Sequence, residues 1–456
     1  MEVTYTLQPE ARWADGEPVT SQDAVFTAEV ARLPDSGLPN AILFRDLRSV
    51  RVVDAKTFVM VYDHVEFGLG APEVFELLPE HIEGPIFRGL ANKRDYLQHS
   101  AYRSTPTLPG LWMGPYRLAE FGAGKYAVFE RNPYWFGEPA YFRKITLRFY
   151  PSSSQAQAGL FAGDTDLLEE GTLPLNVAAD IRARLQDRFV VKTAPSATLL
   201  SITINLDQPQ LKDKRVRRAL LLAIDRPAIA KELLGDGQAV AQSFLAPQDP
   251  GYSDSVAHIP FDPVAAAEAL REAGDKQNEA GRWVDAAGTP LGLRLSINAA
   301  NSLTGPVSER VVAAWQRIGF DATVVPDPAL LSQTLPHRRF ALALFGWTPT
   351  PEYVPQTILG SAGIPTAANN FSGQNFSDLK SSEIDAALSA LIGELDGQKR
   401  RALWTRLKQD WVDELPALPL FNLPQLYVVP NWLRGFEPTG DAIPSSNFCE
   451  TWSRRP

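Results

Sequence analysis

The sequence predicts an α/β protein made of two differently built regions. Three observations carry this. The chain has 456 residues, more than one hydrophobic core usually organises. Its second half alternates strand-period and helix-period apolar patterns, which implies a covered, mainly parallel sheet. Its first half is richer in strand-like runs and more irregular. Hydrophobic residues make up 45% and charged residues 21%, ordinary proportions for a folded globular chain.

Taken in order, Val3 to Leu7 alternates as a strand and Ala14-Asp15-Gly16-Glu17-Pro18 supplies a turn. Thr20 and Asp23 have the spacing of a capping box opening a helix through Val25, Phe26 and Val30. Thr57 to Tyr62 reads as a strand, and residues 84–115, rich in Gly, Pro, Ser and Thr, predict few regular elements. Ile145 to Phe149 and Leu200 to Leu206 are strand-like.

The pattern then sharpens. Asp213 caps a helix whose apolar face is Val216, Ala219, Leu220 and Ala223, with Arg215, Arg217 and Arg218 largely off that face. Asp262-Pro263 opens another helix, closed by Ala273-Gly274. Leu293, Leu295 and Ile297 alternate as a strand. Val307, Val311, Trp315 and Ile318 form a helical stripe that Gly319 stops, and Phe320, Ala322 and Val324 alternate again. Phe340 to Phe345 suits a buried strand, and two amphipathic helices follow through Ile384-Leu388-Leu391 and Leu403-Leu407-Trp411.

Several classes of function find no support. The net charge is -9 and the basic residues are scattered, which argues against a nucleic-acid partner. Cys449 is the single cysteine, so no intramolecular disulfide forms. His64, His81, His99, His258 and His337 show no metal-type spacing, and neither metal nor cofactor is expected. No run approaches the ~20 apolar residues that cross a bilayer, and Met1-Glu2-Val3-Thr4-Tyr5 reads as a strand start rather than a signal peptide.

Nucleophile-elbow, zincin and paired-cysteine motifs are absent. Gly122-Ala123-Gly124-Lys125 lacks the first glycine of a phosphate loop and carries Tyr126 where a hydroxyl would hold magnesium, so it reads as a hairpin turn. Asp164, Asp166, Glu169 and Glu170 read as solvated acids. No enzyme activity and no catalytic residue is expected.

Segments spread over nearly the whole chain carry a family resemblance. Tyr5 to Phe26, with its Asp15-Gly16-Glu17-Pro18 turn and capped helix, is followed by Gly114-Pro115-Tyr116-Arg117-Leu118 and Arg131-Asn132-Pro133-Tyr134-Trp135. Then come Ala162-Gly163-Asp164, Asn205, and Asp213-Lys214-Arg215-Val216-Arg217-Arg218-Ala219-Leu220 with Ala223-Ile224-Asp225-Arg226. Phe261-Asp262-Pro263, Ala273-Gly274, Gly319-Phe320 and Phe345-Gly346-Trp347 complete the order. Together they resemble family 5 extracellular solute-binding proteins, the dipeptide, oligopeptide and nickel binders of ABC importers.

The resemblance implies a periplasmic-binding-protein-like α/β fold: two lobes, a hinge and an extra subdomain. Residues 1–130 would form the extra subdomain of lobe I, 131–208 lobe I, 209–425 lobe II, and 426–456 the return to lobe I. It implies a monomer outside the cytoplasm that captures a peptide or similar small solute between closing lobes and hands it to the permease subunits. Relatives begin with an export signal and further strands, so a truncated start is expected here. Alternatives are a cytoplasmic ligand-sensing regulator and a binder of oligosaccharides.

Trp347 is the leading ligand contact that the resemblance implies, by stacking. In peptide-binding relatives the Gly-Trp pair is followed by an Asp that pairs with the peptide amine. Here Thr348-Pro349-Thr350-Pro351-Glu352 follows, leaving Glu352 as a substitute. Asn369, Asn370 and Phe371 fall where relatives carry a polar segment near the pocket. Trp112, with Met113, replaces the usual Gly-Thr and adds bulk beside the cleft. Asn298 and Asn301 end a strand at the expected cleft edge.

Overall fold

Local capping chemistry sets most helix starts in the computed structural model. The structure describes all residues except 34–37, 39–43, 45–46, 66, 71–75, 170–171, 174, 236–239, 248, 250, 253–257, 299–302, 349–353, 441–442 and 456. Two units result. The first comprises Met1–Leu168, Val429–Glu437 and Ser445–Pro456, the second Glu169–Val428 and Pro438–Pro444.

In the first unit, β1 (Glu2–Thr6) precedes α1 (Ser21–Ala31), β2 (Leu47–Val52) and β3 (Thr57–Tyr62). The strands form an antiparallel sheet in the order β1–β3–β2. The expected capping box is present: the Thr20 amide donates to Asp23 at 2.7 Å and the Thr20 hydroxyl caps the helix in return. Ala24, Ala28 and Ala31 of α1 pack with Phe58, Met60 and Tyr62 of β3.

α2 (Glu80–Gly89) runs into the stretch that the sequence left irregular, and it holds Pro85 inside it. Tertiary packing overrides propensity there. Phe87 meets Phe26 and Tyr96 edge-on at 5.7 and 5.6 Å. Glu83, fully buried, accepts from the Ser100 hydroxyl and the Ala101 amide. Farther on, β4 (Tyr116–Gly122), β5 (Tyr126–Arg131) and β6 (Lys144–Arg148) make a second antiparallel sheet. Gly122-Ala123-Gly124-Lys125 is the hairpin between β4 and β5, with Gly124 at φ 68°. α3 (Ser153–Ala162), which the sequence reading missed, starts at a Ser152 cap.

The second unit is built on one five-stranded sheet. Its elements are β7 (Leu199–Ile204), α4 (Lys214–Leu222), α5 (Arg226–Leu234), α6 (Pro263–Ala273), β8 (Gly292–Ile297), α7 (Thr304–Arg317), β9 (Asp321–Pro326), β10 (Leu342–Trp347), α8 (Ser382–Gly393), α9 (Gly397–Glu414) and β11 (Ala417–Asn422). Asp213, Asp225 and Asp262 cap α4, α5 and α6.

The strand order is β9–β8–β10–β7–β11. Both ladders of β8 are parallel, whereas β7 pairs antiparallel with β10 and with β11. The expected mainly parallel sheet is therefore mixed: β7 runs against its four companions. Leu200, Ile202 and Ile204 on β7 and Leu342 and Leu344 on β10 are buried in one core with Leu220, Val311, Trp315, Leu388 and Leu407 from the helices.

One expectation about α4 is corrected. Arg217 does not lie off the apolar face in solvent but is 2% exposed. Its guanidinium donates to the carbonyls of Leu211, Lys212 and Glu414, which satisfies it where water is excluded.

Candidate functional site

β8, β9, β10 and β11 all end on one edge of the second unit's sheet, and β7 begins there. In open α/β sheets that carboxyl edge is where ligands settle, because loops rather than paired strands surround it. The segments preceding β7 and following β11 are bound together: the Leu423 amide donates to the Thr198 carbonyl at 2.8 Å, and the Ser196 hydroxyl to the Leu423 carbonyl at 2.5 Å.

Trp347, the last residue of β10, is directly opposite Leu199, and Asn422, the last residue of β11, faces Leu199 from the other side. Residues directly opposite one another in antiparallel strands project from the same face. The row therefore reads indole, buried Leu199, amide. Trp347 is half-buried. Just past it, the Thr348 hydroxyl shares a 2.8 Å hydrogen bond with the Thr198 hydroxyl. A Cβ on Gly346 would meet the Thr198 methyl at 3.4 Å, an ordinary contact, on the face opposite the indole.

On this face the row presents an indole and a carboxamide, while the Thr198–Thr348 hydroxyl pair, one residue out of step, lies on the opposite face. The Nδ2 atom of Asn422 is shielded from solvent and finds no hydrogen-bond partner among the described residues. This arrangement can stack on a flat or apolar ligand face and exchange neutral hydrogen bonds. Among the described residues of this row none is a carboxylate.

Asn369 uses its amide inside its own turn: Oδ1 accepts from the Thr366 amide at 2.9 Å and Nδ2 donates to the Ile364 carbonyl at 2.8 Å. Asn370 and Phe371 both take left-handed backbone angles, at φ 53° and 57°. The Phe371 ring stacks on His337 with centroids 4.3 Å apart.

Trp112 belongs to the first unit. Its indole N–H donates to the Pro106 carbonyl at 2.8 Å, and its ring meets Tyr102 and Phe129 edge-on. Met113 packs against the cluster of Ala11, Trp13 and Val19. Asn298 follows β8 directly, at the same sheet edge as Trp347, and its carbonyl accepts from the Thr304 hydroxyl at 2.8 Å. Asn301 and Glu352 lie outside the described residues.

Sequence reasoning singled out Trp347 but not Asn422, which strand register places in the same row. The only local trace of Asn422 is a polar residue ending the apolar strand Ala417-Leu418-Pro419-Leu420-Phe421. Nothing local indicates that it shares a row with Trp347.

Known proteins resemble this chain in sequence and fold. The profile described as "Bacterial extracellular solute-binding proteins, family 5 Middle" matches residues 1–368. The chain belongs to that family. It is 25% identical over 435 residues to the nickel-binding periplasmic protein of Escherichia coli, covering 93% of this chain and 79% of that protein. It is 24% identical to the oligopeptide-binding protein AppA of Bacillus subtilis, over 93% of this chain and 76% of that one.

Among solved structures, NikZ from Campylobacter jejuni in complex with Ni(L-His) aligns with a TM-score of 0.83 at 21% identity. That alignment covers 100% of this chain and 88% of that one, and it shows the shared fold. The solute-binding proteins of this family are substrate-binding subunits of ABC importers, and this chain is one of them. No helix among the described residues is long and apolar enough to cross a membrane.

Proposed function

We propose that this chain captures a small, oxygen-rich solute, a short peptide or an oligosaccharide, at the carboxyl edge of the second unit's sheet. It then hands the solute to the permease subunits of its importer. The carrying observation is Trp347: a half-buried indole at that edge with no ring stack or indole hydrogen bond among the described residues. An aromatic face held this way binds apolar or sugar-ring surface at low entropic cost.

Uncharged Asn422 in the same row favours neutral hydrogen-bonding groups over a bare ammonium, whose burial without a counter-charge is expensive. Relatives that bind oligopeptides support the peptide branch. The nickel-binding relative draws less support, because no group of three His, Cys, Asp or Glu side chains suited to a metal occurs among the described residues. The protein acts as a monomer outside the cytoplasm and breaks no bond.

The test is thermal melting of the purified protein with trialanine, maltotriose or nickel–histidine. A true ligand at ~100 times its Kd stabilises the fold by about 2.7 kcal/mol. Stabilisation by trialanine or maltotriose is the expected result. Stabilisation by nickel–histidine alone, or by none of the three, contradicts the reading.

A further inference from the structure

We propose that Asn422 is a specificity-determining residue which selects, through its Nδ2 donor, a ligand carrying a neutral acceptor oxygen. This rests on the binding reading above and goes further by naming what the ligand must present beside the indole. A buried donor with no acceptor is a standing cost to the fold, and it persists where something outside the chain supplies the missing partner. Asn422 Nδ2 is such a donor.

Its position makes the assignment specific. Trp347 and Asn422 flank Leu199 in one row, so their backbones are two strand spacings apart, roughly 9–10 Å. That span accommodates one sugar ring or one peptide unit, its flat face on the indole and an oxygen toward the amide, with Leu199 between them buried in the core. An ammonium group cannot accept from Nδ2. Of Thr198, Leu199, Trp347, Thr348, Asn422 and Leu423, none carries a charge that would draw an ion instead. A peptide carbonyl and a sugar hydroxyl supply the same acceptor chemistry.

The experiment pairs ligand-free melting with calorimetric titration of the full chain against trialanine and maltotriose. Asn422→Leu keeps the shape and removes the orphan donor, so the ligand-free protein should melt at the same temperature or higher. A clear fall in Tm would mean that the amide already has a partner, and would overturn the proposal without any ligand.

Asn422→Asp replaces the donor with an acceptor of equal size. It should weaken whichever probe binds wild type by at least tenfold, and Asn422→Leu should weaken it similarly. Loss for trialanine identifies a peptide carbonyl; loss for maltotriose identifies a sugar oxygen. Unchanged or tighter binding by Asn422→Asp would overturn the donor role while leaving the binding function intact. If neither probe binds wild type, the binding reading fails and this inference fails with it.

Discussion

Trp347 and Asn422 stand in one row across the sheet of the second unit, each directly opposite Leu199 on the strand between them. The relationship joins a residue of the family's Gly-Trp segment to one that no motif marks. In the proposed function the indole supplies stacking and the amide a neutral hydrogen bond, and each can be removed separately.

Replacing Trp347 by Ala should weaken binding of trialanine or maltotriose by roughly 1–3 kcal/mol, the worth of a good aromatic stack with its buried area. The melting temperature without ligand should change little, because the indole is only half-buried and ends its strand. Titration calorimetry and thermal melting on the same preparation read both quantities. Loss of folding would make Trp347 a core residue.

Arg226 should prove structural. It is 3% exposed, and its guanidinium donates to the carbonyls of Ala241 at 2.6 Å and Pro419 at 2.9 Å, and to that of Ile259. Burial pushes its pKa down to about 10, so it stays charged at neutral pH. Arg226→Met strands those carbonyls and should cost about 3 kcal/mol or more in urea unfolding. Ligand affinity of the folded fraction should be unchanged.

Asp378 gives a pH-dependent prediction. Burial alone would raise its pKa, but Lys380 and Arg338 outweigh that and hold it below the usual carboxylate range. A folded pKa below the unfolded value of about 3.9 means that the unfolded chain takes up the proton first. The pairing therefore stabilises the fold above about pH 4, and this contribution is lost as pH falls through the folded value. Asp378 has φ 63°, which Asn tolerates. Asp378→Asn should cost about 2 kcal/mol at neutral pH, and urea titrations near pH 3 should show the gap to wild type narrowing.

Gly373 tests the loop carrying Asn369 to Phe371. A Cβ there would lie 1.9 Å from the Gly363 carbonyl oxygen, so two backbone segments must separate. Gly373→Ala should cost about 1–3 kcal/mol and disturb the stacking of Phe371 on His337, visible as a change in the ring-current shifts of His337. An unchanged melting curve would contradict the close approach.

What was legible in the sequence follows from how local the chemistry is. Thr20 with Asp23, Asp213 and Asp262 bond to amides two or three residues away, so spacing alone revealed those helix starts. α2 was not legible, because Pro85 and two glycines argue against a helix that Phe26, Tyr96 and Ser100 hold from a distance.

Arg217 looked like a solvated charge; the carbonyls of Leu211 and Lys212 that receive it lie just before α4, but that of Glu414 comes from a distant segment. The site divides the same way. Trp347 sits in a recognisable segment, whereas Asn422 acquires meaning only through strand register. Asn369 was legible as a polar loop residue, but the capping of its own turn required the three-dimensional path of that loop.

The most direct test of the account is amide hydrogen exchange with and without a saturating ligand from the trialanine and maltotriose panel. Slowed exchange confined to peptides containing residues 198–200, 346–348 and 421–423 of the second unit is the predicted result. Protection that leaves those three segments unchanged while appearing elsewhere would contradict the placement of the site.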